Sequence, residues 1–206
     1  MTIKDMHDMI DTLKNEGQTG YHTPEEIDRA LNNASDDKFN AEKKIFESTG
    51  IISDNLRTFK TSATISLTSG SGSLPSDYSY RTGASTTGDL PVEILSEGEW
   101  VYKINDPIDP PSSTRPIMAI RNTVSVLPNT LSSVVLYYLK RPATMVFGYT
   151  VTDGENVYNS GTSTQPDWAP DCHVDIVLRA CVYLGVPLKE QDLIRLKAYK
   201  TQTENV

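Results

Sequence analysis

Helical hydrophobic spacing at both ends of the chain gives way to strand-like alternation in the middle, and this change restricts the fold more than any motif. Residues 61–88 contain 8 Ser, 6 Thr and 4 Gly, a composition typical of short strands and turns. We therefore expect an α+β protein. Residues 1–60 and 166–206 would form a helical bundle, and 61–165 an inserted small antiparallel β-domain with a Ser/Thr/Gly-rich loop.

Two helices are predicted in the N-terminal segment. The first follows a Thr2 to Asp5 capping pattern and is indicated by apolar residues at helical spacing: Ile3, Met6, Ile10 and Leu13. The second has a stronger start. Thr23 suits the N-cap, and Pro24 suits the first helical position. The Glu26 carboxylate can accept a hydrogen bond from the Thr23 N–H and so complete a capping box. It should end near Gly50, and its weak point is the polar stretch Asn32–Asp37.

Strands are predicted throughout the middle of the chain. Thr61–Thr68 alternates, and Ser69–Ser73 then supplies a flexible turn. Asp153–Gly154 favours a hairpin turn. Its predicted arms and the other predicted strands are Gly148–Val151 with Glu155–Tyr158, then Val92–Leu95, Ile117–Arg121, Val124–Leu127 and Val134–Leu139.

The pattern returns to helix after Pro166. Asp171 is the expected cap of a helix that stops near Gly185, with a buried stripe formed by Val174, Val177, Leu178, Cys181 and Leu184. A last helix is predicted from about Leu188, and Leu193, Leu196 and Tyr199 would share one of its faces.

Charge and composition exclude several classes of protein. The 206 residues include 19 basic and 27 acidic side chains, for a net charge of −8 and a pI near 4.9, which argues against general nucleic-acid binding. Two cysteines, Cys172 and Cys181, are too few for a disulfide framework, so a reducing cytoplasm is the default. We expect no signal peptide and no membrane segment, since no apolar run approaches about 20 residues.

We expect no catalytic, metal or cofactor site. His7, His22 and His173 fall on separate segments. Cys172 and His173 are neighbours on a predicted helix and would point about 100° apart, so they would not face each other. Ser69–Ser73 lacks the Gly-Lys-Ser/Thr ending of a phosphate-binding loop. An enzyme remains a third hypothesis, which would require the neighbourhood of Cys172, His173 and Asp175 to be catalytic.

The order of segments resembles that of phage head-to-tail connector proteins, the adaptor rings of the tail tubular protein A type in short-tailed and crAss-like phages. The stretches that carry the likeness begin with Gly20–Asp28, which contains Thr23, Pro24 and Glu26. The others are Leu56–Lys60; Leu74–Tyr78, with Leu74, Pro75 and Asp77; Glu99–Trp100; Asp106–Ile108; Tyr137–Pro142; and Trp168 with the helix after it. They are structural rather than catalytic, and their order carries the resemblance.

The resemblance implies a virion protein made in the host cytoplasm and assembled as a dodecameric ring. Such a ring would contact the portal protein and the next tail or ring protein, and would continue the DNA channel without a membrane partner. Transient contact with passing double-stranded DNA would involve no sequence recognition, and the acidic balance suits a lumen that does not retain phosphates.

Two segments are hypothetical contacts in such a ring. Ser69, Gly70, Ser71, Gly72 and Ser73 would form a protruding hairpin tip against the next ring or the channel. Leu193, Leu196 and Tyr199 would dock the last helix on the portal or on a neighbouring subunit.

A carbohydrate- or receptor-binding β module of a tail structure is the alternative reading. Exposed aromatic rings stack on sugar faces, and hydroxyl-rich loops hydrogen-bond to them. The candidate aromatic residues are Tyr78, Tyr80, Trp100, Tyr102, Tyr137 and Tyr138.

Overall fold

The computed structural model describes residues 1–17 and 21–186, which adopt a mixed α+β fold. The predicted last helix, with Leu193, Leu196 and Tyr199, lies outside the described residues. The helices are α1 (Ile3–Gly17), α2 (Pro24–Thr49), α3 (Glu97–Lys103) and α4 (Pro170–Tyr183), with short 3-10 helices at Asp54–Phe59 and Ser160–Thr162. The strands are β1 (Lys60–Ser66), β2 (Ser71–Ser73), β3 (Tyr78–Thr86), β4 (Glu93–Leu95), β5 (Ile117–Ile120), β6 (Thr123–Leu127), β7 (Ser133–Lys140), β8 (Tyr149–Thr152) and β9 (Glu155–Tyr158).

The chain divides into two compact units. The first combines Met1–Thr58 with the described part of Pro142–Val206, and the second is Phe59–Arg141. Residues 142–165, grouped with the β-domain in the sequence analysis, therefore cluster with the helices of the first unit. Among the described elements, α1, α2, α4, β8 and β9 belong to this unit.

Local signals in the sequence account for the ends of α2. The Thr23 hydroxyl accepts a hydrogen bond from the Glu26 N–H at 3.3 Å, and the Thr23 N–H donates to the Glu26 carboxylate at 3.0 Å, which completes the predicted capping box. Gly50 ends the helix with a φ of 69°, a conformation that glycine adopts at little cost. The helix runs unbroken through Asn32–Asp37.

The start of α4 differs from the prediction. Ala169 occupies the N-cap without a side-chain hydrogen bond, and Pro170 is the first helical residue. Proline is suited to this position because the first N–H groups of a helix have no intrahelical partner. Asp171 therefore lies inside the first turn and does not cap the helix.

The core of the first unit is made by α1, α2 and α4. The apolar face of α1 is buried as its spacing predicts, and α2 contributes Ile27, Leu31 and Phe39. On α4, Ile176, Val177, Ala180 and Cys181 are fully buried. Burial of these side chains supplies most of the driving force for packing the three helices, at about 1.5–3 kcal/mol for each large one.

The second unit contains two sheets. A three-stranded antiparallel sheet has the order β1-β7-β3, and a four-stranded sheet has the order β2-β6-β5-β4. The predicted β-domain was antiparallel throughout, whereas β4 pairs with β5 in parallel. A parallel pair needs a crossover connection, and the connection here contains α3, which the sequence analysis missed.

Apolar side chains from both sheets form the core of this unit. One buried cluster consists of Ile65, Val92, Met118, Val124, Val126, Val134, Leu136 and Tyr138. A second cluster surrounds Trp100 of α3 and is completed by Leu95, Ile117 and Ala119. The predicted strands thus supply the core with their alternating buried residues, and α3 covers one end of the second sheet's apolar surface.

The glycines of Ser69–Ser73 are tightly packed. Ser69 and Gly70 form a turn, both at positive φ, and Ser71–Ser73 pairs with β6. A Cβ placed on Gly72 would lie 2.5 Å from the Ile65 Cγ2 and 2.8 Å from the Ser66 carbonyl oxygen. Gly70 and Gly72 therefore pack closely against other residues of the second unit. The contact of this segment with another ring stays a prediction.

Replacing Gly72 by alanine should destabilise the second unit by about 2 kcal/mol, because the added methyl group overpacks a site bounded by backbone. Gly98→Ala is the matched control, since a Cβ there meets nothing within 4 Å. Urea unfolding followed by circular dichroism measures both. Equal stabilities for the two variants would contradict the packing at Gly72.

Candidate interaction surfaces

The three most exposed apolar side chains of the second unit lie on α3 and the loop after it. Together with Ile104 they form what we call the α3 surface: Val101, Tyr102, Ile104 and Ile108. Tyr102 is 82% exposed and Ile108 is 92% exposed. A seven-residue helix that buries one side of its surface with Trp100 leaves the remaining sides open.

The α3 surface is held rigidly by hydrogen bonds. Ser96 and Glu99 form a capping box at the start of α3. After the helix, the Asp106 carboxylate accepts from the backbone N–H groups of Ile108 at 2.9 Å and Asp109 at 3.2 Å, and these bonds lower the pKa of Asp106. Lys103 donates to the Asp109 carboxylate at 3.0 Å, which raises the pKa of Lys103. The hydrogen bonds thus hold the backbone on both sides of the exposed side chains.

A second exposed feature is the β8–β9 hairpin, residues 149–158, which we call the hairpin arm. Asp153 and Gly154 form its turn at φ values of 54° and 86°, as the sequence predicts. All side chains from 150 to 157 are exposed, including Val151 at 66%. The outer part of the hairpin arm is therefore open to solvent.

The base of the hairpin arm is firmly anchored. The Tyr149 hydroxyl donates to the Glu25 carboxylate at 2.6 Å, a bond that lowers the pKa of Glu25. The ring of Tyr158 lies 5.0 Å from that of Phe147. Gly148 has no room for a side chain, because a Cβ there would lie 2.2 Å from the Thr162 hydroxyl oxygen. These contacts hold the base of the hairpin arm, while residues 150–157 are exposed.

A cleft of about 700 Å³ lies beside this base, and His7, Phe147 and Tyr158 are among the residues that line it. His7 Nε2 is 2.8 Å from one carboxylate oxygen of Asp28, and the other oxygen accepts from the Phe147 N–H at 2.9 Å. The His7 ring stacks on Phe147 with centroids 4.3 Å apart. Asp28 thereby ties α1 and α2 to the strand segment that starts the hairpin arm, a connection that the sequence analysis did not identify.

The residues of the enzymatic hypothesis have separate partners. Cys172 Sγ is 3.6 Å from the Asn55 side-chain oxygen, and burial raises the pKa of its thiol to about 11. The His173 Nε2–H donates to the Trp168 carbonyl at 2.8 Å. Asp175 accepts from Lys38 at 2.7 Å; burial opposes ionisation of Asp175, but Lys38 and Arg179 together lower its pKa. These contacts join α4 to neighbouring elements, and none of these hydrogen bonds joins the Cys172 thiol to His173 or Asp175.

Burial of His173 should make the stability of the first unit depend on pH. Burial lowers the pKa of His173 below 6.5, so the unfolded chain binds its proton more readily than the folded chain. The free energy of unfolding should therefore fall as the pH drops through about 6.5, by up to about 1.4 kcal/mol per pH unit. Urea unfolding between about pH 7.5 and about pH 5.5 measures this slope.

The matched variant is His173→Gln, whose side-chain amide can still donate to the Trp168 carbonyl but does not titrate. Its free energy of unfolding should vary less with pH than that of the original chain over the same range. Identical slopes would mean that His173 is not the group responsible.

The aromatic residues of the carbohydrate-binding hypothesis are divided between core and surface. Trp100 and Tyr138 are buried, and the Tyr138 hydroxyl donates to Asp77 at 2.9 Å; burial, with this bond, raises the pKa of Tyr138 to about 12. Tyr78 is half-buried against Tyr138. Tyr102 is exposed and lines a cleft of about 540 Å³ with Glu99, Asn105 and Asp106.

The remaining motif residues have structural contacts. Leu74 and Pro75 are half-buried, and the Pro75 carbonyl accepts from the Tyr78 N–H at 3.1 Å in a turn. The Asp77 carbonyl accepts from the Arg141 N–H at 2.8 Å. Trp168 is buried in the first unit, where its indole N–H donates to Ser35.

Within residues 1–17 and 21–186, no three or more His, Cys, Asp and Glu side chains are grouped to hold a metal ion. None of the helices in this described part combines the length and the apolar character needed to cross a membrane. Comparison with known proteins found no matching family model and no matching curated sequence.

Proposed function

We propose that this chain is a structural virion protein, a head-to-tail connector whose copies form a ring between the capsid portal and the tail. In this proposal the first unit is a helical body and the second is the β-domain inserted into it. The role is architectural, with no catalytic step and no cofactor. It rests on the resemblance of segment order and on the surfaces described above.

The observation that carries the proposal is the exposure of large apolar side chains on rigid elements of both units. Tyr102 and Ile108 lie on a frame held by capping and carboxylate hydrogen bonds, and Val151 lies on an anchored hairpin. Monomeric proteins rarely keep grouped apolar side chains exposed in this way, whereas protein interfaces are enriched in them. Assembly would remove these side chains from water.

Charge also fits a conduit for DNA. With a net charge of −8, each copy adds negative potential to the assembled ring. Each phosphate that a protein neutralises adds affinity for DNA through counterion release, so a negatively charged wall lets the duplex slide. Contact with passing DNA would accordingly be transient and independent of sequence.

Electron microscopy and native mass spectrometry of the chain with the portal protein of its phage test this function. We expect a closed ring bound to the portal. Changing Tyr102 and Ile108 together to serine should prevent assembly while leaving the circular dichroism spectrum unchanged, and Ser113→Ala, an exposed change in the same unit, should assemble normally. A chain that remains a single copy with portal present would contradict the proposal.

The second candidate is a carbohydrate- or receptor-binding module, which is favoured by the position of Tyr102. Its exposed ring borders a cleft with the polar side chains of Glu99, Asn105 and Asp106, a combination suited to stacking and hydrogen bonding with a sugar. This role would be favoured if the original chain formed no ring and bound a glycan on an array, and if Tyr102→Ala abolished that binding.

A further inference from the structure

The longest free sheet edge in the second unit is that of β1. It is the terminal strand of its sheet and spans seven residues, while β2 and β4, which end the other sheet, span three each. The other terminal strand of the first sheet, β3, is partly covered, since Thr86 and Ala84 bond to the backbone at Leu90 and Val92. Within the described chain, residues 60–66 have backbone bonds to β7 alone. Thr68 bonds to Ser71 just after the strand and brings β2 beside Ser66, so the free part of the edge is residues 60–64.

The hairpin arm presents a matching edge. Among the described residues its backbone groups from 149 to 158 bond only between β8 and β9. A two-stranded hairpin is marginally stable in water by itself, and three or more strands are the usual minimum for a stable sheet. The anchored base therefore holds two open edges in position for another strand.

Charge selects the direction in which these edges meet. The hairpin arm carries Asp153 and Glu155 at its tip and no basic residue. Strand β1 begins with Lys60, which pairs with Leu139 beside Lys140 in the sheet, so this end of the sheet is basic. Placing the acidic tip at Lys60 makes β8 run antiparallel to β1.

Backbone hydrogen bonding selects the register. The Leu67 N–H donates to the Ser132 carbonyl in the ladder with β7. Because the bonding direction alternates along an antiparallel strand, Ser62 and Thr64 direct their backbone groups to the free edge.

The outward residues of β8 follow from the same alternation. The Asn159 N–H donates to the Gly148 carbonyl across the hairpin arm, so Val151, three residues on, directs its backbone groups away from β9. Pairing Val151 opposite Ser62 joins two outward-facing residues and sets the acidic tip beside Lys60. A shift by one residue would oppose an outward residue to an inward one.

We propose that the hairpin arm of one copy adds to the free edge of β1 in a neighbouring copy, with β8 antiparallel to β1. Backbone hydrogen bonds would then give affinity, and their alternation along both strands would fix the register. Because the arm and the edge are different surfaces, the contact is heterologous and passes from copy to copy as a ring requires. This inference rests on the proposed ring function.

Disulfide trapping tests the pairing in the full-length chain. Val151→Cys and Ser62→Cys, made in separate chains and mixed under mild oxidation, should give a covalent heterodimer, since directly opposed residues lie within disulfide reach. The native Cys172 and Cys181 are buried, and burial raises the pKa of each thiol to about 11. They should not react under these conditions.

Val151→Cys mixed with Ser113→Cys, an exposed position outside β1, is the control. Adding Lys60→Glu should slow the specific cross-link by up to about fivefold, and adding Glu155→Lys to the partner chain should restore it. A cross-link no faster than the control overturns the proposal. If rings still form on the portal, the connector function stands without this contact; if neither rings nor cross-links form, both proposals fail.

Discussion

Replacing Trp168 by alanine is expected to lower the free energy of unfolding by about 3–5 kcal/mol, the range for large-to-small changes of a buried aromatic residue. Trp168 is 3% exposed and its indole N–H donates to the Ser35 hydroxyl at 2.8 Å. The Lys38 ammonium lies 5.7 Å from the centre of its ring. The substitution opens a cavity where α2 and α4 meet and removes partners from two buried polar side chains.

Two variants separate these contributions. Trp168→Phe keeps much of the ring volume but loses the N–H donor, so we expect a smaller loss of about 1–2 kcal/mol. Tyr102→Ala removes an exposed aromatic ring and should change stability by no more than about 0.5 kcal/mol. Urea unfolding monitored by far-ultraviolet circular dichroism compares all three. A loss for Trp168→Ala no larger than that for Tyr102→Ala would contradict the packing described for the first unit.

The helical ends were predictable because their signals are local. The spacing of apolar residues in α1, the capping box at Thr23 and the glycine stop at Gly50 all lie within a few residues of the feature they determine. The Asp153–Gly154 hairpin was predictable for the same reason, since its turn requires two residues at positive φ.

The polar stretch in the middle of α2 could not be interpreted from local spacing. Its side chains contact residues far along the chain: Asn32 bonds to Met145, Ser35 to Trp168, Lys38 to Asp175 and Asp37 to Tyr183. The polar stretch that looks like a weak point of the helix is therefore where α2 forms hydrogen bonds with residues between 142 and 183. Only the folded arrangement reveals that these polar side chains have distant partners.

In the second unit, the missed elements have weak patterns. Strand β3 contains two register shifts against β7 and lacks a clean apolar alternation. Helix α3 is only seven residues long, although Ser96 and Glu99 give a capping-box signal that could have located it. A helix of two turns carries too few apolar residues for spacing to identify its buried face.

Composition indicated only part of the exposed surface. The three serines of Ser69–Ser73 are exposed, whereas Gly70 and Gly72 are closely surrounded by other residues. Tyr102, Ile108 and Val151 are among the exposed apolar side chains that composition did not single out together. The packing of the sheets and helices determines which apolar residues remain outside the core. Local sequence patterns do not reveal this packing.

Asn32→Ala is the second change with a large expected effect, a loss of about 2–5 kcal/mol. The Asn32 side-chain amide donates to the Met145 carbonyl at 2.9 Å, and its oxygen accepts from the Met145 N–H at 2.8 Å. Met145 is 1% exposed, so truncation leaves two buried backbone groups without partners. Each such group costs about 1–3 kcal/mol.

Asn33→Ala is the matched control, because Asn33 is exposed on the same helix and alanine favours helix formation there. Hydrogen exchange read by mass spectrometry should show faster exchange at the Met145 amide in Asn32→Ala, and urea unfolding should give the loss in stability. Asn32→Asp keeps the acceptor for the Met145 N–H but sets a carboxylate oxygen against the Met145 carbonyl, so it too should be destabilised. If Asn32→Ala matched Asn33→Ala in both measurements, the polar side chains of α2 would not be what holds the segment at Met145 to the helix.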